Sequence, residues 1–477
     1  MSRCAAALLV LAAAVAAAPG EHPPPKTVGP VETFGVNVQR SMNLIAGSTG
    51  LKRNTVRVLF YGQSHIVSDW TRLLAERLRR QYPLVDFVIE NRAICGYSSE
   101  LLHKTAEADL YPFYPDLVVF HDYGEARFIE GMVRKLRELT TADIVILSDH
   151  VAPLVDGPPV EIEDLSRLKE PKPGDHDPVW RSYVFLPGLA KRYGLEFVDV
   201  RTLWKRYLGD FKLKPSDLLF DDLHLNANGN RLMVELVAAH LRHRPDLVPH
   251  FADPVHTFSV GEDGDLQWKD GKLRLEFTGN KVELICREGG TKSASAPIRI
   301  DGKKPSEFME LYWHGRTELN VPRSLHYPPV LRVRREAGLV SESWTMHVTA
   351  IDRVQKSFKF RVSGSLTGDD GAGESGARFV SRSRRIVLEP SDFHLFYSLN
   401  GSTNRDATEA VIQWKVMHLF TDEFAVPEKR NPFGETVVVA AQGLPNGKHV
   451  IEIAGGPETP LAAIRVYRPP LPESGQK

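Results

Sequence analysis

Cysteine is nearly missing from this chain, with three residues in 477. Cys4 falls in the amino-terminal segment, and Cys95 and Cys286 lie far apart. That spacing excludes a disulfide framework, a Cys-x-x-Cys redox motif and a zinc-type cysteine pair. Net charge is missing too. Sixty basic residues balance sixty acidic ones, with no long block of one sign, so nothing argues for a nucleic-acid surface. His103, His150 and His176 lack paired ligand spacing, and neither a metal nor a cofactor is expected. Beyond Gly20 no apolar run is long enough to span a bilayer. The chain has no Gly-x-Ser-x-Gly, which disfavours an ordinary α/β-hydrolase elbow.

What is present divides the chain. "MSRCAAALLVLAAAVAAAPG" has a basic start, an apolar core and small residues before a Pro-rich stretch. It reads as a secretory signal over 1–20, which places the mature protein outside the cytoplasm, periplasmic or secreted. Residues 21–53 read as an amino-terminal extension. From 54 to 250, apolar runs such as "TVRVLFYG", "PDLVVF" and "DIVILSD" alternate with helical spacing. That alternation predicts an α/β unit with a mostly parallel sheet covered on both faces. From 256 to 472 the pattern becomes strand and turn, which predicts an all-β sandwich. Turns are expected at Gly279-Asn280 and Asn446-Gly447, and a long inserted loop near 364–385, where Gly, Ser and Asp dominate. Trp268, Trp313 and Trp344 offer either sugar-stacking faces or core filling.

The chemistry gathers at two places. "VLFYGQSHIVSDW" runs a strand into Gly62-Gln63-Ser64-His65. In parallel sheets, sites form outside the carboxyl ends of strands. "FDDLHLNANGNRLM" carries Asp221 and His224 three apart, close enough for the carboxylate to hold one imidazole nitrogen. The other nitrogen is then left to take a proton from a serine hydroxyl, which is a poor nucleophile unaided. Taken alone, the same residues serve equally well as helix caps and surface groups.

The order Gly62-Gln63-Ser64, Gly96 within "ENRAICGYSS", and Asp221-x-x-His224 resembles the SGNH, or GDSL-type, hydrolase family. The resemblance spans about Thr55 to Leu241 and is of the carbohydrate-esterase-like kind with Gln in place of Asp. It implies a flavodoxin-like three-layer α/β/α unit, followed here by a jelly-roll-like sandwich. It further implies Ser64, Asp221 and His224 as the catalytic set, and the N–H groups of Ser64 and Gly96 as oxyanion donors. Two positions depart from the family: Ala93 stands for the first glycine of the second block, and Ala126 for the Asn of the third. Alanine donates no hydrogen bond, so His121, at a strand end, is the expected substitute donor. Gln63, His65 and Asn91 are expected to contact substrate, and Cys95 to be a small packed thiol. The implied activity is removal of acetyl or another short acyl group from a carbohydrate. The alternatives are a polysaccharide O-acetyltransferase and an impaired glycan-binding scaffold protein.

Overall fold

The structure, a computed structural model, describes residues 21–156, 177–247, 250–252, 254–261, 263–289, 295–320, 327–400 and 410–473. The signal reading over 1–20 lies outside the described residues. Five parallel strands form the first sheet: β1 (Thr55–Gly62), β2 (Asp86–Asn91), β3 (Leu117–His121), β4 (Asp143–Leu147) and β5 (Glu196–Val198). Their order is β2-β1-β3-β4-β5. Successive side chains of a strand point to opposite faces, and the two faces carry separate cores. Val58, Phe60, Val119 and Val145 pack under the helices Trp70–Gln81, Val200–Phe211 and Ala227–Ala238. Leu59, Tyr61, Val118 and Ile144 pack under Ser99–Asp109, Ala126–Leu139 and Leu186–Tyr193. This is the three-layer α/β/α arrangement, and it explains why the central strands read as unbroken apolar runs.

The segment read as an extension is part of the first core. Val38, Met42 and Ile45 sit on or beside the helix Gln39–Ala46 and are buried against β1 and its neighbours. An i, i+4 and i+3 spacing of apolar side chains brings them to one face.

The rest of the chain builds antiparallel sheets. One has β17 (Glu423–Phe424), β8 (Ala296–Ile300), β18 (Val437–Ala454), β7 (Lys272–Cys286), β19 (Leu461–Tyr467) and β6 (Val255–Ser259), in that order. The other runs β10 (Glu318–Leu319), β16 (Val411–His418), β11 (Ser343–Asp352), β12 (Ser357–Gly364) and β13 (Gly368–Glu374), with β9 (Tyr312–His314) also on β16. β14 (Phe379–Val380) and β15 (Val387–Leu388) form a small separate pair. Trp344 and Trp414 stack in the core of the second sheet, so Trp344 fills space there.

Three sequence expectations fail here. No turn occurs at Gly279-Asn280, because β7 runs straight through. A Cβ on Gly279 would lie 2.3 Å from the Tyr467 carbonyl of β19, so glycine is there to admit a neighbouring strand. Asn280 is buried, accepting from the Tyr114 hydroxyl and donating to the Leu139 carbonyl. Asn446-Gly447 does not separate two strands either. β18 continues past it, with an irregularity between Gln442 and Gly447. Finally, 364–385 is not a loop. It forms β13 and β14, with Gly373 so close under Phe379 and Phe360 that a Cβ would meet those rings at 2.7 and 3.0 Å. Asp370 is buried and accepts from the Ser383 N–H and hydroxyl, and Asp369 pairs with Arg361 and Arg382.

Candidate active site

β1 is followed in the chain by β2 on one side and β3 on the other. The crevice outside the carboxyl ends of β1 and β3 is therefore the switch point of the sheet, where open α/β sheets hold ligands. β1 ends at Gly62, with φ +147°, and a Cβ there would lie 2.0 Å from the His121 carbonyl. Only glycine lets the chain turn this close to β3. The next residue, Gln63, caps the short helix Ser64–Val67 by accepting the His65 N–H at 3.0 Å. Ser64 is thus fixed at the sheet edge, and it is buried.

The second part of the site comes from a loop that Leu219 and Leu225 close by bridging. Asn226 ends the loop by accepting the N–H groups of Asn228 and Gly229, which starts the helix Ala227–Ala238. Within the loop, Asp221 Oδ1 accepts the backbone N–H groups of Leu223 and His224. Its Oδ2 lies 2.8 Å from His224 Nδ1. These His224 and Leu223 bonds to an exposed carboxylate lower its pKa to about 2. An ionised Asp221 holds Nδ1–H, and His224 Nε2 is the nitrogen left to work. Phe220 stacks on the His224 ring at 5.6 Å and 14°.

Ser64 and His224 line one cavity of about 380 Å³. The Ser64 hydroxyl donates to Gln63 Oε1 at 2.8 Å, and Tyr123 lines the same cavity. No hydrogen bond joins Ser64 Oγ to His224 among the described residues; catalytic bonds of this kind commonly tighten only with substrate bound.

The wall of the cavity contains a buried chain of polar contacts. Gln63 Oε1 is committed to two donors, so its Nε2 faces His121 Nδ1 at 2.9 Å and must donate. His121 therefore carries its proton on Nε2, which meets Asp149 Oδ1 at 3.0 Å. Arg181 grips Asp149 Oδ2 through Nε and Nη2, at 3.0 and 2.7 Å. Burial works to raise the Asp149 carboxyl, but Arg181 and His121 outweigh it and hold it well below the usual range. His150 donates Nε2–H to the Leu223 carbonyl, tying the end of β4 to the Asp221–His224 loop. His65 lies between the rings of His121 and His150, each at 4.7 Å. Burial, aided by three neighbouring histidines, keeps it neutral, and its Nε2 has no hydrogen-bond partner among the described residues.

The structure thus brings Gln63, Ser64, His65, His121 and His224 together at one cavity, with Asp221 behind His224. Two expectations need correction. His121 is no spare oxyanion donor, because both ring nitrogens are engaged within the wall. Asn91 does not line the cavity. Its amide donates to the Ile66 carbonyl and Thr71 Oγ1 and accepts the Ala93 N–H, so it braces the loop after β2. Gly96 is not among the lining residues; it has φ +74°, with the Tyr397 hydroxyl 2.5 Å from where a Cβ would stand. Ala126 opens the helix Ala126–Leu139 and is not among the lining residues. Sequence reading passed over Tyr123, Asp149 and Arg181. The first two follow the ends of β3 and β4, and that strand-end placement was the available signal. Among the described residues no group of three or more His, Cys, Asp or Glu is placed to hold a metal ion, and no helix is long and apolar enough to cross a membrane.

No protein-family model matches the sequence, and no curated protein does. Among solved structures, the chain is similar to a two-domain esterase active on acetylated mannans, at 12% identity and a TM-score of 0.35, over 92% of this chain and 98% of that one. It is also similar to an acetylxylan esterase from Geobacillus stearothermophilus, in a catalytic-mutant form, at 15% identity and a TM-score of 0.33, over 41% and 100% of the two chains. A further acetyl xylan esterase shares 18% identity at a TM-score of 0.31, over 39% and 98%. These are likenesses of chain outline, and they assign no role to any side chain.

Proposed function

We propose that this protein is an exported serine esterase that removes a short acyl group, such as acetyl, from a carbohydrate. The observation that carries the reading is the shared cavity of Ser64 and an Asp221-bonded His224 at the switch point of the sheet. Ser64 Oγ attacks the ester carbonyl carbon while His224 Nε2 takes its proton. The leaving sugar alkoxide takes that proton back, and water then repeats the sequence to free the carboxylic acid and Ser64. Asp221 holds the His224 tautomer and stabilises the imidazolium. The N–H groups of Ser64 and Gly96 face the developing oxyanion. Gln63 accepts the resting Ser64 hydroxyl, and His65 contributes its ring to the cavity wall. Residues 1–20 are the export signal, 54–250 the catalytic unit, and 256–472 the β unit that covers one side of it.

The test is hydrolysis of p-nitrophenyl acetate and acetylated xylan by wild type, Ser64→Ala and His224→Ala. Wild type releases acetate, and each variant loses about 1,000-fold or more in kcat. Equal, slow release by wild type and Ser64→Ala on every ester would refute the reading.

A further inference from the structure

Hydrolysis through Ser64 develops negative charge on the carbonyl oxygen, and that charge needs donors aimed at it. Ala126 supplies none, and His121 has none to spare. Most other polar groups of the cavity are committed or of the wrong kind. Asp149 is an acceptor, His150 gives its Nε2–H to Leu223, and Gln63 turns its oxygen, not its amide N–H, toward Ser64. Tyr123 differs from all of these.

Its placement follows from strand register. Gly62 of β1 pairs with His121 of β3. Ser64 and Tyr123 each follow that pair by two residues, just beyond the ends of the two paired parallel strands. Both side chains therefore issue from adjacent strand ends into the same cavity. Tyr123 lines that cavity together with Ser64 and His224. The ring is held on two sides, edge-on to His121 at 6.2 Å and 85°, with the Arg181 guanidinium 5.9 Å from its centroid. Its backbone is held as well: the N–H donates to Asp122 Oδ1, and the carbonyl accepts the Ser99 N–H. Burial raises the phenol above its ordinary pKa, so the hydroxyl stays a donor at any working pH.

We infer that Tyr123 is a catalytic residue whose hydroxyl donates to the oxyanion of the tetrahedral intermediate. The inference rests on the esterase reading above. As Ser64 Oγ bonds to the carbonyl carbon, the π pair moves onto oxygen, and the Ser64 proton goes to His224. Tyr123 O–H donates a hydrogen bond to that oxygen and keeps its proton. Collapse restores C=O, breaks the carbon–oxygen bond to the leaving group, and returns the His224 proton to it.

The experiment compares full-length wild type, Ser64→Ala and Tyr123→Phe on p-nitrophenyl acetate, with melting midpoints and inactivation by diisopropyl fluorophosphate. Tyr123→Phe deletes one oxygen from a half-buried side chain, so its melting midpoint stays near that of wild type. Its kcat falls about 100- to 1,000-fold with KM little changed, the loss expected for one oxyanion donor. Inactivation slows in step, because the P=O oxygen of the adduct occupies the same place. Ser64-dependent turnover that survives in Tyr123→Phe within about three-fold overturns this inference and leaves the esterase intact. Absence of Ser64-dependent turnover in wild type overturns both.

Discussion

Asp122 illustrates how much a single side chain can be shaped by the end of a strand. It is buried one residue beyond β3. Its Oδ1 accepts the Tyr123 N–H at 2.9 Å, while Oδ2 has no partner among the described residues. Burial pushes its carboxyl well above the ordinary carboxylic-acid range. The folded chain therefore keeps a proton that the unfolded chain releases. Above the unfolded pKa the unfolded state binds fewer protons, so this group's contribution to stability falls as pH rises toward the folded value. Asp122→Asn keeps the acceptor oxygen and cannot ionise. The melting midpoint of the variant minus that of wild type should grow from about pH 4 to about pH 8. A difference that is flat or shrinks over that range would mean the carboxyl is ionised in the fold.

Elements decide whether such residues meet. The helix Ala227–Ala238 begins at Asn226, whose side chain caps two of its N–H groups and donates to the Asp217 carbonyl. The same residue closes the loop that carries Asp221 and His224. Asn226→Ala should cost about 1 kcal/mol of stability, as for other lost caps. It should also lower kcat/KM at temperatures where the chain remains folded, since the loop loses its anchor. Unchanged activity with lowered stability would show that the Leu219–Leu225 bridge and the His150 bond to Leu223 hold the loop without the cap. This segment was legible in the sequence because capping and Asp-x-x-His geometry are local. The strand ending in Gly62-Gln63-Ser64 was legible for the same reason, through an apolar run closed by a glycine. The misread stretches fail for a non-local cause. Gly279, Gly373, Asn280 and Asp370 look like turn residues, yet each is set by something distant in the chain: the Tyr467 carbonyl, the Phe379 ring, the Tyr114 hydroxyl and Ser383. Tyr123 and Asp149 escaped notice similarly, since only strand order places them beside Ser64.

At the scale of the whole molecule, the two parts are joined by polar contacts and by an apolar cluster in which Tyr327 and Leu331 pack on the first core. Gln442 donates to the Pro112 carbonyl, Arg316 pairs with Asp109, and Arg332 pairs with Glu107. The centre of this seam is Asp392, whose side chain is wholly buried. Its carboxylate lies 3.3 Å from Lys104, 3.7 Å from Arg332 and 3.6 Å from Arg334. Burial lowers the Lys104 ammonium, and Asp392 works against that. Removing that carboxylate takes away the Lys104 ion-pair partner, while Arg332 keeps Glu107 and Arg334 keeps Glu389. Breaking a buried ion pair by deleting one partner typically costs about 3–5 kcal/mol, so Asp392→Ala should lower the melting midpoint clearly. The effect should also reach the cavity. Asp392 ends a short turn that leads to His394, which bonds the Tyr97 hydroxyl at 2.7 Å, and to Tyr397, whose hydroxyl overlies Gly96. If that segment shapes the oxyanion side, kcat/KM falls in Asp392→Ala by more than the unfolded fraction explains. Full kcat/KM in the folded variant would mean that the β unit stabilises the catalytic unit without shaping its chemistry.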